Sequence, residues 1–197
     1  MLLAGGVRAA PAGAIGIPVL DAVRDPEGFD VLVVELSSAQ LHRYHGSEAG
    51  GPLPLASVCL DRGDAGLDWH ESAEDHREAL ARVYAGTRVA CVFNQSDAAT
   101  RAMVEDAEVQ EGCRAIGFGL GMPGPSDLGL VEDILVDRAF LEERRTSALE
   151  LATLADLAEV GLSRPQEVAE VLAAAALARA ADVPPAAIRE ALRSLAP

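Results

Sequence analysis

The sequence predicts an α/β fold, a three-layer arrangement in which helices flank a mostly parallel sheet. Four short, continuous runs rich in β-branched residues have the character of buried parallel strands. They cover residues 30–36, 55–60, 88–94 and 113–119. Amphipathic segments separate these runs, and strands that alternate with helices are typical of such a fold.

The helical segments have recognisable ends. The segment 72–86 begins at Ser72, a favourable N-cap, and ends at Gly86, with Leu80 and Tyr84 on its apolar face. The helix 97–107 follows an aspartate cap, and prolines separate the last two predicted helices, 165–183 and 184–195. The remaining elements are a short antiparallel hairpin at a sheet edge, within 130–140, and a flexible loop at 46–55.

Size and charge limit the classes of function. A chain of 197 residues predicts one domain, residues 1–197. The formal charge of −15 and the pI near 4.5 argue against binding to nucleic acids or anionic membranes. No apolar run reaches the ~20 residues of a membrane span, and we expect a cytoplasmic protein. Cys59, Cys91 and Cys113 form no CxxC pair and are expected to be buried free thiols.

Nine segments, in the same order, resemble the central, ATP-binding domain of the Mur ligase family, and within it the branch that adds D-glutamate. They are GAIGIPVLDAV, FDVLVVELSSAQLH, SVCLDRGDAGLDWHES, ALARVYAG, VACVFNQSDAAT, AIGFGLGMPG, EDILVDRAF, LATLADL and VAEVLAAAALARAADVPPAAIREALRS. The resemblance implies a reaction in which ATP and magnesium activate a carboxylate as an acyl phosphate, which an amino acid then attacks.

The sequence departs from that family at the positions that carry the chemistry. A GTNGKT-like phosphate loop is expected upstream of LLAGGVRAA, and no GxxxxGK[ST] occurs in the chain. The strand and helix around that loop, and the two outer domains, are therefore expected to be missing. Family residues that contact substrate, metal or phosphate are replaced by Ala14, Ala65, Gly66, Leu80, Gln166, Glu167 and Glu170. Leu80 stands where the family has a carbamylated lysine, and a leucine cannot bind magnesium through oxygen.

Other residues of the family pattern are kept. Glu35 matches a magnesium-binding glutamate and is followed by Ser37 and Ser38. The stretch Asp68, Trp69 and His70 keeps its place in the family pattern, and Asn94 with Asp97 matches part of a turn on the nucleotide side. The structural alternative is that Glu35 is solvated, Trp69 packs on the sheet and His70 forms a local hydrogen bond.

These substitutions predict a pseudoenzyme that binds or scaffolds in a cell-wall-related or specialised-metabolite pathway, without ligase activity and with no cofactor. One alternative is a repurposed enzyme that uses acids in the old cleft, with Glu35, Asp61, Asp64, Asp68 and His70 as candidates. Another is a ligase fragment that uses ATP and Mg²⁺ with a partner polypeptide. His42, His45 and His76 show no metal-ligand spacing, so no zinc site is expected.

We also expect a homodimer. Without the phosphate-loop strand, the runs 31–36 and 57–60 lack a neighbour, and an open apolar strand edge favours pairing with a second chain. The Ala-rich segment 168–181 has small side chains that allow close approach between chains. The alternative is that residues 1–16 fold back to fill the gap within one chain. A small molecule or another protein is the other expected partner.

Overall fold

A computed structural model describes residues 1–46, 53–60, 63 and 66–195. The strands are β1 (Ala9–Gly13), β2 (Val31–Glu35), β3 (Ala56–Cys59), β4 (Ala90–Asn94), β5 (Arg114–Phe118), β6 (Asp127–Val131), β7 (Ile134–Asp137) and β8 (Leu149–Thr153). The helices are α1 (Val19–Arg24), α2 (Ser38–His42), α3 (Ala73–Ala81), α4 (Ala98–Glu105), α5 (Leu154–Glu159), α6 (Pro165–Ala180) and α7 (Pro185–Arg193). Two 3-10 turns, Leu67–Trp69 and Arg82–Tyr84, lie on either side of α3.

The main sheet has six strands in the order β3-β4-β5-β6-β7-β8. Its first four strands are parallel, and β7 and β8 are antiparallel to their neighbours. The sequence predicted β3, β4 and β5, and it predicted the hairpin that β6 and β7 form. The expected place of that hairpin at the sheet edge is wrong, because β8 pairs with β7 and forms the edge instead.

Helices cover both faces of this sheet, which confirms the predicted α/β class. Along β4, Ala90 and Val92 belong to a large apolar cluster with α6, whereas the intervening Cys91 packs with Tyr84 and Met103 in a second cluster. Side chains that alternate along a strand point to opposite faces, so the two clusters lie on the two sides of the sheet. The small residues of α6 allow that helix to sit close to the strands.

A separate small sheet contains the first predicted strand. β1 and β2 pair in parallel, from Ala9 opposite Val31 to Gly13 opposite Glu35. The segment 30–36 is therefore a strand, but the prediction that it is fully buried is wrong: Val33 and Val34 are 48% and 41% exposed. The reason is topological, because among the described residues β2 has only β1 as a neighbour.

The predicted helix ends are close to the observed ones. The Ser72 hydroxyl accepts a hydrogen bond from the Asp75 amide at the start of α3, and Gly86 has the positive φ of 72° that suits a stop. The last turn of the 72–86 prediction is a 3-10 turn, and α6 ends at Ala180 rather than at residue 183. Across the described ranges, no helix combines the length and apolar character needed to cross a membrane.

Candidate functional site

Glu35 and Ser37 lie at the carboxyl end of β2. The Glu35 side chain is exposed, as the solvated interpretation requires, and its backbone carbonyl accepts a hydrogen bond from the Ala14 amide at 2.9 Å. Ser37 caps α2 through a reciprocal pair with Gln40, in which each residue's backbone amide donates to the other's side chain. Ser37 therefore serves the helix start, and Glu35 is available to solvent.

Gly66 brings the next loop against the start of α2. Its φ is +81°, in the left-handed region that favours glycine, and a Cβ at this position would lie only 2.6 Å from the Ser38 hydroxyl oxygen. Ser38 itself is buried. A histidine, the family's residue at this position, would be strained by the positive φ and would require the Ser38 hydroxyl, the loop or α2 to shift.

The three retained residues Asp68, Trp69 and His70 lie in or directly after the Leu67–Trp69 turn, in different surroundings. Asp68 is exposed, and Trp69 is 49% exposed, so the expectation that Trp69 packs on the sheet is wrong. The indole instead contacts the His42 and His70 rings, with centroid separations of 5.4 and 4.9 Å. His70 is buried and its Nδ1 lies 3.1 Å from Asp75 Oδ2, which confirms the local hydrogen bond. Asp61 and Asp64 lie outside the described residues.

The two candidates on the nucleotide side have structural partners. The Asn94 amide group donates to the Leu60 carbonyl at 2.9 Å, and its oxygen accepts from the Ser96 amide and hydroxyl. Asp97 caps α4, where its Oδ1 accepts from the Ala99 amide at 2.8 Å. These side chains fix the end of β4 and the start of α4.

The substituted family positions on α3 and α6 also have local contacts. Leu80 is half-buried against the cluster of Tyr84 and Cys91, in agreement with its predicted apolar face. At the start of α6, Gln166 donates to Glu170, and Glu167 accepts from the Ser163 and Arg164 amides. None of these three polar side chains offers the imidazole of the family motif.

The histidines come together in a way that the sequence analysis missed. His42 at the end of α2, His70 and Asp75 converge, with His42 Nδ1 3.4 Å from Asp75 Oδ1. The His76 ring centroid lies 4.9 Å from that of His70. The hydrogen bond with His70 is the main cause that holds the pKa of Asp75 below its ordinary value. Ser72 was the sequence feature that could have indicated this cluster. As the N-cap of α3 it places Asp75 in the first turn of the helix, beside the loop that contains His70.

The cysteines are free thiols. Cys59 and Cys91 are buried and Cys113 is partly buried, with the Cys91 and Cys113 sulfurs 3.8 Å apart. Burial, followed by the neighbouring Cys113, raises the pKa of Cys91 to about 12. A thiol with this pKa remains protonated at neutral pH and is a poor nucleophile.

Comparison with known proteins finds relatives that carry one common name. No family model matches. A Leifsonia xyli protein is 58% identical over 192 residues, which are 98% of this chain and 37% of that protein. A Streptomyces avermitilis protein is 50% identical over 197 residues (100% and 40%), and one from Tropheryma whipplei is 45% identical over 192 residues (98% and 40%). All three are named UDP-N-acetylmuramoylalanine--D-glutamate ligase. The chain spans about two fifths of the length of these curated relatives.

Proposed function

We propose that the chain is a member of the Mur ligase family, because nearly all of it is similar to part of the ligases named above. We propose further that it is a pseudoenzyme: a binding or scaffolding protein in a cell-wall-related or specialised-metabolite pathway, without ATP-dependent ligase activity. The observation that carries this proposal is the geometry of Gly66. The family's histidine at this position lies near metal and phosphate, whereas here the backbone has a φ of +81° and the Ser38 hydroxyl lies 2.6 Å from the position that a Cβ would take.

Leu80, on α3, supports the same conclusion. The family's lysine at this position is carbamylated and holds a second magnesium ion through oxygen. In this chain the Leu80 side chain packs against the apolar cluster of Tyr84, Cys91 and Met103. A side chain that contributes to an apolar cluster supplies no oxygen ligand, so Glu35 is left without the partners that the family's magnesium sites have.

Because both Gly66 and Leu80 differ from the family, restoring one of these residues should not restore ligase activity. Catalytic groups that act as a unit are not additive, so restoring one of them leaves the reaction blocked by the others. We therefore expect no ligase activity from Gly66→His, from Leu80→Lys or from the two combined. A magnesium-dependent reaction also needs contacts to the nucleotide phosphates, and this acidic chain repels them.

The test is an assay with ATP, Mg²⁺, the UDP-linked muramoyl-alanine substrate and D-glutamate, read as phosphate release and as formation of the dipeptide product. We expect neither product, and an ATP affinity weaker than ~1 mM, because a phosphate loop normally supplies most contacts to the β- and γ-phosphates. The full-length Leifsonia xyli relative is the positive control. Its segment corresponding to this chain is the matched control, which separates the effect of length from that of the substitutions.

Calorimetric titration with the same ligands distinguishes the alternatives. Binding of the muramoyl substrate without turnover supports the pseudoenzyme. A Mg²⁺-dependent ATPase signal from the pure chain contradicts it, and turnover of a small molecule without ATP favours the repurposed enzyme.

We also propose that the chain forms a homodimer through the region around the small sheet. The segment 1–16 does fold back within the chain, since β1 pairs with β2, and β3 pairs with β4, so neither run lacks a neighbour entirely. Each of β2 and β3 nevertheless keeps one open edge in the part of the chain that the structure describes. Val33, Val34 and Leu60 are all more than 40% exposed, and on α1 Leu20 and Val23 are 66% and 68% exposed. Exposed apolar side chains beside open strand edges favour association with a second chain.

A further inference from the structure

We propose that His42, His70 and Asp75 form a binding site for a zinc ion, distinct from the position of Glu35. The sequence spacing of His42, His45 and His76 indicated no zinc site, but the fold brings His42 together with His70 and Asp75. One ligand atom from each of the three residues can be chosen so that all three atoms lie within 4.8 Å of one another.

Three elements hold the ligands in place. His42 is the last residue of α2, and its carbonyl accepts a hydrogen bond from the Arg82 guanidinium. His70 ends the Leu67–Trp69 turn, and Asp75 lies in the first turn of α3, where its amide donates to the Ser72 hydroxyl at 3.0 Å. The backbone of each ligand is therefore fixed before any metal binds, which lowers the entropic cost of binding.

The separations suit a tetrahedral ion. Asp75 Oδ1 lies 3.4 Å from His42 Nδ1, and Asp75 Oδ2 lies 3.1 Å from His70 Nδ1. Zinc bonds to nitrogen and oxygen measure ~2.0–2.1 Å, so neighbouring ligand atoms around a tetrahedral zinc lie about 3.3 Å apart. The Asp75 carboxylate thus lies between the two rings, at separations close to those around a zinc ion, and side-chain rotations would be needed to bring one of its oxygens and both ring nitrogens onto the same ion.

The second, independent observation is that the histidines carry unsatisfied nitrogen atoms. Three buried side-chain nitrogen or oxygen atoms lack a hydrogen-bond partner among the described residues, and two of them are His42 Nδ1 and His70 Nε2. The His70 side chain is 0% exposed. Buried polar atoms are nearly always paired. The Asp75 carboxylate makes a hydrogen bond with the His70 ring through Nδ1 but not with His42 Nδ1, which lies 3.4 Å away. A metal ion supplies a partner that the protein does not.

The ligand types favour zinc over magnesium. Two imidazoles and one carboxylate are a common zinc set, whereas magnesium prefers oxygen ligands alone. Three protein ligands leave the fourth position to water, next to the half-exposed indole of Trp69. Bound zinc would fasten α2 to α3, and so would join the segment that follows the small sheet to a helix of the large sheet.

The experiment is a Zn²⁺ titration of the chelator-stripped chain at pH 7.5, followed by calorimetry and by the fluorescence of Trp69, the chain's single tryptophan. We expect one saturable site per chain and a change in Trp69 emission. His42→Gln and Asp75→Asn should each weaken binding by at least ~10–100-fold, the effect typical of disturbing a metal's surroundings. His45→Gln is the matched control, because His45 is exposed and outside the cluster, and it should bind as the wild type does.

Several results would overturn the site. These are the absence of saturable binding, equal losses in the His45→Gln control, or wild-type affinity in both ligand variants. Cobalt substitution adds a check on ligand type: intense near-ultraviolet sulfur-to-cobalt charge-transfer bands would assign the metal to the cysteines instead. If Asp75→Asn fails to fold by circular dichroism, His42→Gln decides, because the His42 side chain is 39% exposed and its change leaves the apolar clusters intact.

Discussion

At the scale of single residues, Gly66 sets the distance between two segments of the candidate site. Its left-handed backbone and the close Ser38 hydroxyl mean that even one methyl group would disturb the contact between the Leu67–Trp69 turn and α2. The zinc site that we propose depends on the same contact, since His42 and His70 belong to these two segments.

We expect Gly66→Ala to destabilise the protein by about 2–4 kcal/mol. Of this, ~1 kcal/mol reflects the positive φ, and the rest reflects overpacking against Ser38. Urea unfolding measures the change. Gly112→Ala is the matched control, because Gly112 has a φ of +86° but nothing within 4 Å of an added Cβ, so it should cost only the backbone part.

A double-mutant cycle isolates the clash. Ser38→Ala removes the hydroxyl and leaves the Ser38 Cβ at 4.0 Å, an ordinary contact, so it should recover most of the overpacking cost in the Gly66→Ala background. Equal effects of Gly66→Ala and Gly112→Ala would show that the Ser38 contact is unimportant.

The sequence could predict the roles of single residues only where local chemistry decides them. Ser72 and Asp97 were recognisable as caps because a cap acts on amides two or three residues away. The meeting of His42 with Asp75 was not predictable, because it depends on how α2 packs against α3. Trp69 was misassigned for the same reason: it contacts the His42 ring on α2, together with the neighbouring His70 ring, rather than the sheet.

At the scale of elements, a buried ion pair joins the antiparallel part of the sheet to α6. Asp137 on β7 is completely buried, accepts two backbone amides, from Ala139 and Phe140, and pairs with Arg179 at 2.8 Å. The Arg179 guanidinium also donates to the Val183 and Phe140 carbonyls. Nothing in the sequence pattern marked this pair, since its two residues lie far apart in the chain.

We expect Arg179→Ala to destabilise the chain by about 3–5 kcal/mol, because it leaves the Asp137 carboxylate buried without its cationic partner. Arg77→Ala is the control. Arg77 pairs with exposed Glu74 within one helix, and such surface pairs contribute about 0–1 kcal/mol. Both changes are measured by urea unfolding at neutral pH, and similar costs for the two variants would contradict the structural role of the Asp137 pair.

The start of α5 predicts a dependence of stability on pH. Asp156 is hydrogen-bonded to Arg193 of α7, and secondly to Thr153, and these bonds lower its pKa to about 2. Its unfolded pKa is ~3.9. A depressed carboxyl pKa stabilises the fold above the unfolded value, and this contribution is lost as the pH falls from about 4 towards 2.

Asp156→Asn should therefore be less stable than the wild type at pH 7, by about 1 kcal/mol, a value typical of a lost helix cap. The difference should shrink as the pH falls from about 4 to 2. Urea unfolding across this range measures it, and Glu159→Gln, an exposed change on the same helix, is the control. A difference that stays constant down to pH 2 would contradict the charged role of Asp156.

At the scale of the whole molecule, strands lie in two separate sheets, and their predictability differs. β3, β4 and β5 were evident because buried parallel strands are continuous apolar runs. β1 contains Pro11, three alanines and a glycine, and β8 is interrupted by Glu150 and Thr153, so neither carries such a signal. The α/β class was therefore predictable, but the division into two sheets was not, because pairing depends on which neighbours are present.

Sedimentation equilibrium at micromolar concentration tests the homodimer. A mass near 20.5 kDa would contradict it, and about twice that mass would support it. Val34→Lys, on the exposed β2, should shift the chain towards the monomer, because a charged side chain on a strand edge opposes pairing. Val109→Lys is the control, since Val109 is 39% exposed but lies between α4 and β5.

Because β1 and β2 form a separate sheet, we expect them to open locally before the main sheet unfolds. Neither apolar cluster of the described residues includes a member of these two strands, whereas β4, β5 and α6 contribute repeatedly. Segments with few buried apolar contacts open with a smaller free energy than the global unfolding. Amide hydrogens of β1 and β2 should therefore exchange with solvent through local opening, long before those of β4, whose release requires the whole molecule to unfold.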